Sequence, residues 1–150
     1  MSYSRVDKWL EKLHESGYRL TGPRYFVIEI LAQSERALSP SEVYQQARKQ
    51  YPTIGLVSVY RTVEKLERLG LIQRVHQPDK CQAYIAAFSG HEHLLVCSTC
   101  GLVEFFKGDD LAPLVGRVEK ESGYCVKEHW LQLFGLCKRC QQSIKPNDQM

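Results

Sequence analysis

Residues 55–86, GLVSVYRTVEKLERLGLIQRVHQPDKCQAYIA, carry two periodicities in succession. Leu56, Val59, Val63, Leu66 and Leu69 recur at the three- and four-residue spacing of a helix that stops at Gly70. Residues 71–76 and 82–86 then read as β-prone runs on either side of the turn-forming Gln77-Pro78-Asp79-Lys80. A helix followed by such a hairpin is the second half of a winged helix-turn-helix, a module that lays its last helix in a major groove and its hairpin near phosphates. Ser58, Arg61, Thr62 and Lys65 are expected to project away from the apolar stripe, with Tyr60 at its flank.

The preceding residues supply the remaining helices of such a module. Val6, Trp9, Leu10 and Leu13 predict a helix over residues 4–16, stopped by Gly17. Phe26, Val27, Ile30 and Leu31 mark a second helix after Thr21-Gly22-Pro23. Ser39-Pro40-Ser41-Glu42 joins a capping residue, a first-turn proline and a capping-box glutamate, so a third helix starts there and runs to about residue 50. Tyr51-Pro52-Thr53 breaks it.

Past a small-residue link at 86–90 the pattern changes. Residues 91–97 and 102–106 read as strands, and Asp109 is placed to cap a helix that buries Leu111, Leu114, Val115 and Val118 and ends at Gly123. Residues 125–134 form a third strand, with Cys125 a packing residue at its start. The expected fold is α+β: a winged helix-turn-helix over residues 1–86, then a small β-β-α-β dimerisation domain over 87–150. About 60 residues make a marginal core, so metal and a subunit interface are expected to support the second domain.

The metal is signalled by Cys97-Ser98-Thr99-Cys100 and Cys137-Lys138-Arg139-Cys140. Four thiolates at about 2.3 Å fill the tetrahedral shell of a structural zinc. The 36 intervening residues are too many for one short finger, so a folded domain must close the site. The rival reading is a pair of redox-active motifs, although such a motif usually occurs once, at a helix start. Six cysteines without a signal peptide or any apolar run of membrane-spanning length point to a cytoplasmic, reducing setting in which thiols hold metal. Residues 1–80 hold 13 Lys and Arg against 9 Asp and Glu, a net of +4, while 81–150 hold 7 against 8, a net of −1. The basic half suits a polyanion, and a solvated surface equally.

Histidines suggest a second site. His91 and His93 are two apart on a strand and leave the same face, and His129 lies on another strand that the zinc draws near. Converging imidazoles suit Zn, Ni or Fe(II), whereas isolated surface histidines need no metal. Cys81 is a further candidate ligand or a small buried residue, and Glu104, Asp109 or Asp110 are candidates to complete the shell. Three histidines with an open water position would also suit a zinc hydrolase, but nothing in the sequence places an acid-base group beside them.

Together, Leu20-Thr21-Gly22-Pro23-Arg24, Gly55-Leu56-Val57-Ser58-Val59-Tyr60-Arg61, His91-Glu92-His93 before Cys97-x-x-Cys100-Gly101, and His129 ahead of Gly135-x-Cys137-x-x-Cys140 resemble the ferric uptake regulator family of metal-responsive bacterial repressors, over about residues 5–141. The resemblance implies a homodimer on a double-stranded DNA operator, without membrane association. It implies that Tyr60 and Arg61, with Ser58, face DNA from the recognition helix, and that Arg19 and Arg24 approach the backbone or minor groove. Iron-sensing members commonly have a His three residues before the first clamp cysteine, an acidic residue five beyond the second, and a His two before the third-helix cap. Leu94, Phe105 and Ala37 stand there. The standard iron or peroxide site is therefore not expected, and the resemblance favours the zinc-responsive branch, with thiolate Cys81 as a ligand suited to zinc.

Overall fold

Side-chain caps set the starts of the first three helices. In the computed structural model, which describes residues 3–76, 82–88, 92–108 and 110–144, α1 (Arg5–Glu15) opens on a Ser4/Asp7 capping box. Thr21 accepts from the Arg24 N–H to start α2 (Gly22–Gln33). Ser39 and Glu42 bond each other's main-chain N–H groups at 3.2 and 2.7 Å to start α3 (Pro40–Ala47). Such a cap is worth about 0.5–2 kcal/mol. α3 ends three residues short of its expected limit. Pro52 disfavours a helical Tyr51, and the N–H groups of Gln50 and Tyr51 both turn back to the Ala47 carbonyl.

The fourth helix, α4 (Leu56–Arg68), starts at Gly55 without a side-chain cap. Its buried side is Val59, Thr62, Val63 and Leu66, packed with Val27, Ile28 and Leu31 of α2 and Val43 of α3. Each such aliphatic side chain stabilises the unit by about 1.5–3 kcal/mol. Two expectations fail here. Thr62 is buried, because its hydroxyl donates to the Ser58 carbonyl at 2.8 Å and leaves only its methyl to pack. Leu56 is 43% exposed, since the first turn of α4 runs beyond the core.

Strands β1 (Ile72–Val75) and β2 (Ala83–Ala86) pair antiparallel, from Ile72 opposite Ala86 to Val75 opposite Ala83. Leu38 adds a bridge to Tyr84 through two hydrogen bonds of 2.9 and 2.8 Å, tying the hairpin to the segment before α3. Arg74 donates to both Glu67 carboxylate oxygens, at 2.5 and 3.2 Å. A half-exposed pair of this kind contributes about 0.2–1 kcal/mol, so its main effect is to fix the hairpin relative to α4.

The chain divides into two units, residues 1–87 and 88–150. In the second, β3 (Glu92–Cys97) is central: it pairs antiparallel with β4 (Val103–Lys107) and parallel with β5 (Gln132–Gly135). Between β4 and β5 lies α5 (Leu111–Ser122), and α6 (Lys138–Ser143), which the sequence did not suggest, follows Cys137. Gly123 ends α5 at φ 75°, a conformation that glycine adopts without strain.

Three sequence expectations are corrected in this unit. The last strand covers only Gln132–Gly135, because residues 124–131 have no ladder partner among the described residues, so His129 precedes the strand. Cys125 is exposed, since no strand begins there to pack it. No residue of α5 is buried, Leu114 and Val118 being 46% and 43% exposed, because a three-stranded sheet of this size offers the helix too little surface within one chain. Asp109, the expected cap, lies outside the described residues, and Asp110 at the N-cap makes no capping bond.

Candidate metal centres and nucleic-acid interface

The β3–β4 turn and the start of α6 bring both cysteine pairs to one point. Parallel pairing places Cys97 opposite Gly135, and the Ser98 N–H donates to the Gly135 carbonyl at 2.8 Å. Gly101, at φ 76°, reverses the chain after Cys100. The four sulfurs lie within 4.8 Å of one another. Cys97 is buried and the other three are half-buried.

A 2.3 Å metal–sulfur bond implies sulfurs about 3.8 Å apart on a tetrahedron's edge. The Cys100 and Cys137 sulfurs are 3.8 Å apart. As thiols, Cys97 and Cys140 are shifted in opposite directions. Burial opposes charge on Cys97, but main-chain hydrogen bonds from Cys100, Cys137 and Thr99 outweigh it and bring the thiol down to about 6. The Cys137 N–H stands 3.4 Å from that sulfur. Cys140 is pushed up to about 12, first by its hydrogen bond to Cys137 and then by burial. A divalent cation stabilises all four as thiolates. One converging set of four fits a tetrahedral ion and does not fit two separate redox pairs.

The histidine pair joins this same strand, through His93, to the segment before β5, through His129. His93, opposite Phe106 in the β3–β4 register, is 7% exposed, and the two ring centroids are 5.6 Å apart. The His129 ring, itself exposed, comes to 5.4 Å from the His93 ring. His93 Nε2 is buried without a hydrogen-bond partner. An orphaned buried polar atom costs about 1–3 kcal/mol, so an added ligand at this nitrogen would offset a real penalty. Two imidazoles sharing an ion, each nitrogen about 2.0–2.1 Å from it, have centroids at most about 6.4 Å apart. The observed 5.4 Å satisfies this limit.

His91, Cys81 and Asp109 lie outside the described residues. Glu104 is exposed opposite Leu95, and Asp110 is exposed before α5. Among the described residues no further His, Cys or acidic group joins His93 and His129 in a cluster of three. Glu92, which carries no role in the sequence motifs, also has its Oε2 buried without a partner. Strand alternation gives the hint, since the residue next to His93 on β3 must leave the opposite face of the strand.

At the first two turns of α4, Val57, Tyr60 and Arg61 are exposed and Ser58 is half-buried. Lys65, further along, sets its ammonium 5.6 Å from the Tyr18 ring centroid. Arg19 is exposed, and Arg24 folds back to donate to the Arg19 carbonyl. An aromatic ring, one apolar group, a hydroxyl and a guanidinium along one helix edge can meet base methyls and phosphates.

The family model described as the ferric uptake regulator family matches residues 15–134. The chain belongs to that family. A ferric uptake regulation protein of Bacillus subtilis (strain 168) is 33% identical over 141 residues, covering 91% of this chain and 95% of its own length. A solved zinc-bound manganese uptake regulator is 30% identical with a TM-score of 0.67, covering 85% of this chain and 97% of that one. A zinc uptake regulator complexed with zinc and DNA is 17% identical and shares the fold, with a TM-score of 0.70 over 92% of this chain and 93% of its own. The protein is therefore a metal-responsive transcription regulator and not an enzyme, which removes the hydrolase alternative. These relatives are named for iron, manganese and zinc, so family membership does not fix the metal.

Proposed function

We propose that this ferric uptake regulator family member is a cytoplasmic, homodimeric repressor that binds its operator DNA when zinc fills a site containing His93 and His129. The buried, partnerless Nε2 of His93 beside His129, on a sheet already closed by a separate four-thiolate cluster, carries this reading. Cys97, Cys100, Cys137 and Cys140 hold a structural zinc, and His91 and Cys81 are the further proposed ligands of the second site. Bound there, the ion supplies a charged cross-link among its ligands. Leu94, Phe105 and Ala37, where iron sensors of the family commonly carry ligands, support zinc over iron. The exposed apolar residues of the second unit, Leu114 and Val118 of α5 and Leu133 and Phe134 of β5, provide the surface for a second copy.

The coupling follows from linkage: metal raises operator affinity only through its differential affinity for the DNA-competent state. Mild chelation is the test. It is expected to remove one metal per chain and operator affinity together, while the clamp zinc, identified by mass spectrometry, stays bound. Loss of one metal without loss of DNA binding would refute the sensor reading, and selective activation by Fe(II) would refute zinc as effector.

DNA contact is assigned to Ser58, Tyr60 and Arg61 on α4, with Arg19 and Arg24 at the backbone or minor groove. Arg61→Ala is expected to weaken operator binding and lower the slope of log affinity against log salt by about one, as loss of one phosphate contact requires. Tyr60→Ala is expected mainly to relax preference at a thymine, at a cost of about 1–3 kcal/mol. Unchanged affinity for both variants across a salt titration would exclude this helix edge as the reader.

A further inference from the structure

Gly108, directly after β4, lies against the His93 imidazole. A Cβ at this position would stand 2.6 Å from Nε2 and would also collide with Cδ2. Real Cβ atoms essentially never come within 3.0 Å of another heavy atom, so one of the two groups would have to move. The backbone does not demand glycine here. Gly101 and Gly123 adopt left-handed φ angles, and Gly108 does not. What the position demands is space, and the neighbour that takes it is a titratable ring rather than a packed aliphatic group.

That ring cannot yield cheaply. It is 7% exposed, with Phe106 and His129 at centroid distances of 5.6 and 5.4 Å. If Gly108 served packing alone, the nitrogen edge facing it would have a hydrogen-bond partner or be carbon. Instead Nε2 is buried and unpaired. A divalent cation approaches imidazole nitrogen to about 2.0–2.1 Å, and a side chain at 108 would compete for the surroundings of that same atom.

We propose that Gly108 is a positioning residue of the second metal site: its missing side chain holds the His93 ring where Nε2 can accept a divalent cation. This rests on the reading of His93 as a ligand, and the experiment separates the two. Full-length protein carrying its clamp zinc is titrated with Zn(II) in competition with a chelator of known affinity. A parallel titration with Co(II) is followed by visible absorption. Both are done for wild type, Gly108→Ala, His93→Ala and the double variant.

Gly108→Ala is expected to keep the clamp metal and the dimer, to bind the second ion 10- to 100-fold more weakly, as loss of a ligand-orienting contact typically does, and to shift its Co(II) spectrum. Adding Gly108→Ala to His93→Ala should leave second-site affinity within about twofold and the melting temperature unchanged, because the ring it displaces is gone. Unchanged affinity and spectrum in Gly108→Ala, with loss in His93→Ala, would overturn the positioning role alone. Wild-type second-site binding in His93→Ala would overturn the ligand reading and this inference with it. An equal fall in melting temperature, or loss of folding, on adding Gly108→Ala in both backgrounds would show that glycine serves the turn and not the ring.

Discussion

Cys97→Ser or Cys140→Ser should unfold the second unit while leaving the first one folded. Structural zinc sites contribute apparent free energies of about 10–16 kcal/mol, against a total stability of about 5–15 kcal/mol for a typical domain. The unit has little else to hold it. No residue of α5 is buried, β5 is four residues long, and the parallel β3–β5 pairing ends at Cys97 and Gly135 beside the sulfurs. Cys97 is expected to be the more damaging of the two, because it is buried and its sulfur receives the Cys137 N–H. Metal content, dimerisation and a two-phase melt read the outcome. A variant that keeps its zinc, its dimer and its melting temperature would sink the four-thiolate assignment.

His93→Ala should abolish metal-dependent operator binding without disturbing the clamp. Driving a two-state equilibrium from 1:99 to 99:1 takes a differential affinity of about 10⁴, or 5.5 kcal/mol. Losing one of a few ligands removes most of such a bias. Melting temperature should hold or fall slightly, because truncation removes a half-stacked ring but also an unsatisfied buried nitrogen. With zinc as effector, wild type should reach half-maximal operator binding at lower free zinc than free Fe(II) or Mn(II), and Cys81→Ser should weaken the response. A His93→Ala protein that still needs added metal to bind DNA would place the sensor elsewhere.

Legibility of the sequence followed the range of the interactions involved. The Ser39-Pro40-Ser41-Glu42 start and the Gly123 stop were readable because capping is settled within four residues. The cysteine spacing was readable for the same reason, since each pair sits on a single turn and tetrahedral chemistry joins the two. Thr62 misled because its hydroxyl finds a partner one helical turn back, which lets a polar residue face the core. The apolar stripe of α5 was visible in the sequence, but no surface of the second unit among the described residues buries it. The strand expected over 125–134 shrank to four residues because ladder pairing depends on a distant partner and not on β propensity. Gly108 could not have been found at all, because nothing local distinguishes a glycine required by a neighbouring ring from one in an ordinary turn.

The parallel pairing of β3 with β5 also affects how the protein is made. The contacts of the first unit are complete by residue 87, so it can fold while the rest of the chain is still being synthesised. The second unit must wait, because its central strand needs a neighbour about 40 residues downstream, and its last sulfur, Cys140, comes later still. During that interval Leu94 and Val96, buried in the finished sheet, lack one of their two neighbouring strands, and Cys97 and Cys100 lack the second cysteine pair. With the proposed zinc clamp, cells short of that metal would prolong this stage, so its supply would limit the yield of folded regulator before any sensing of metal begins.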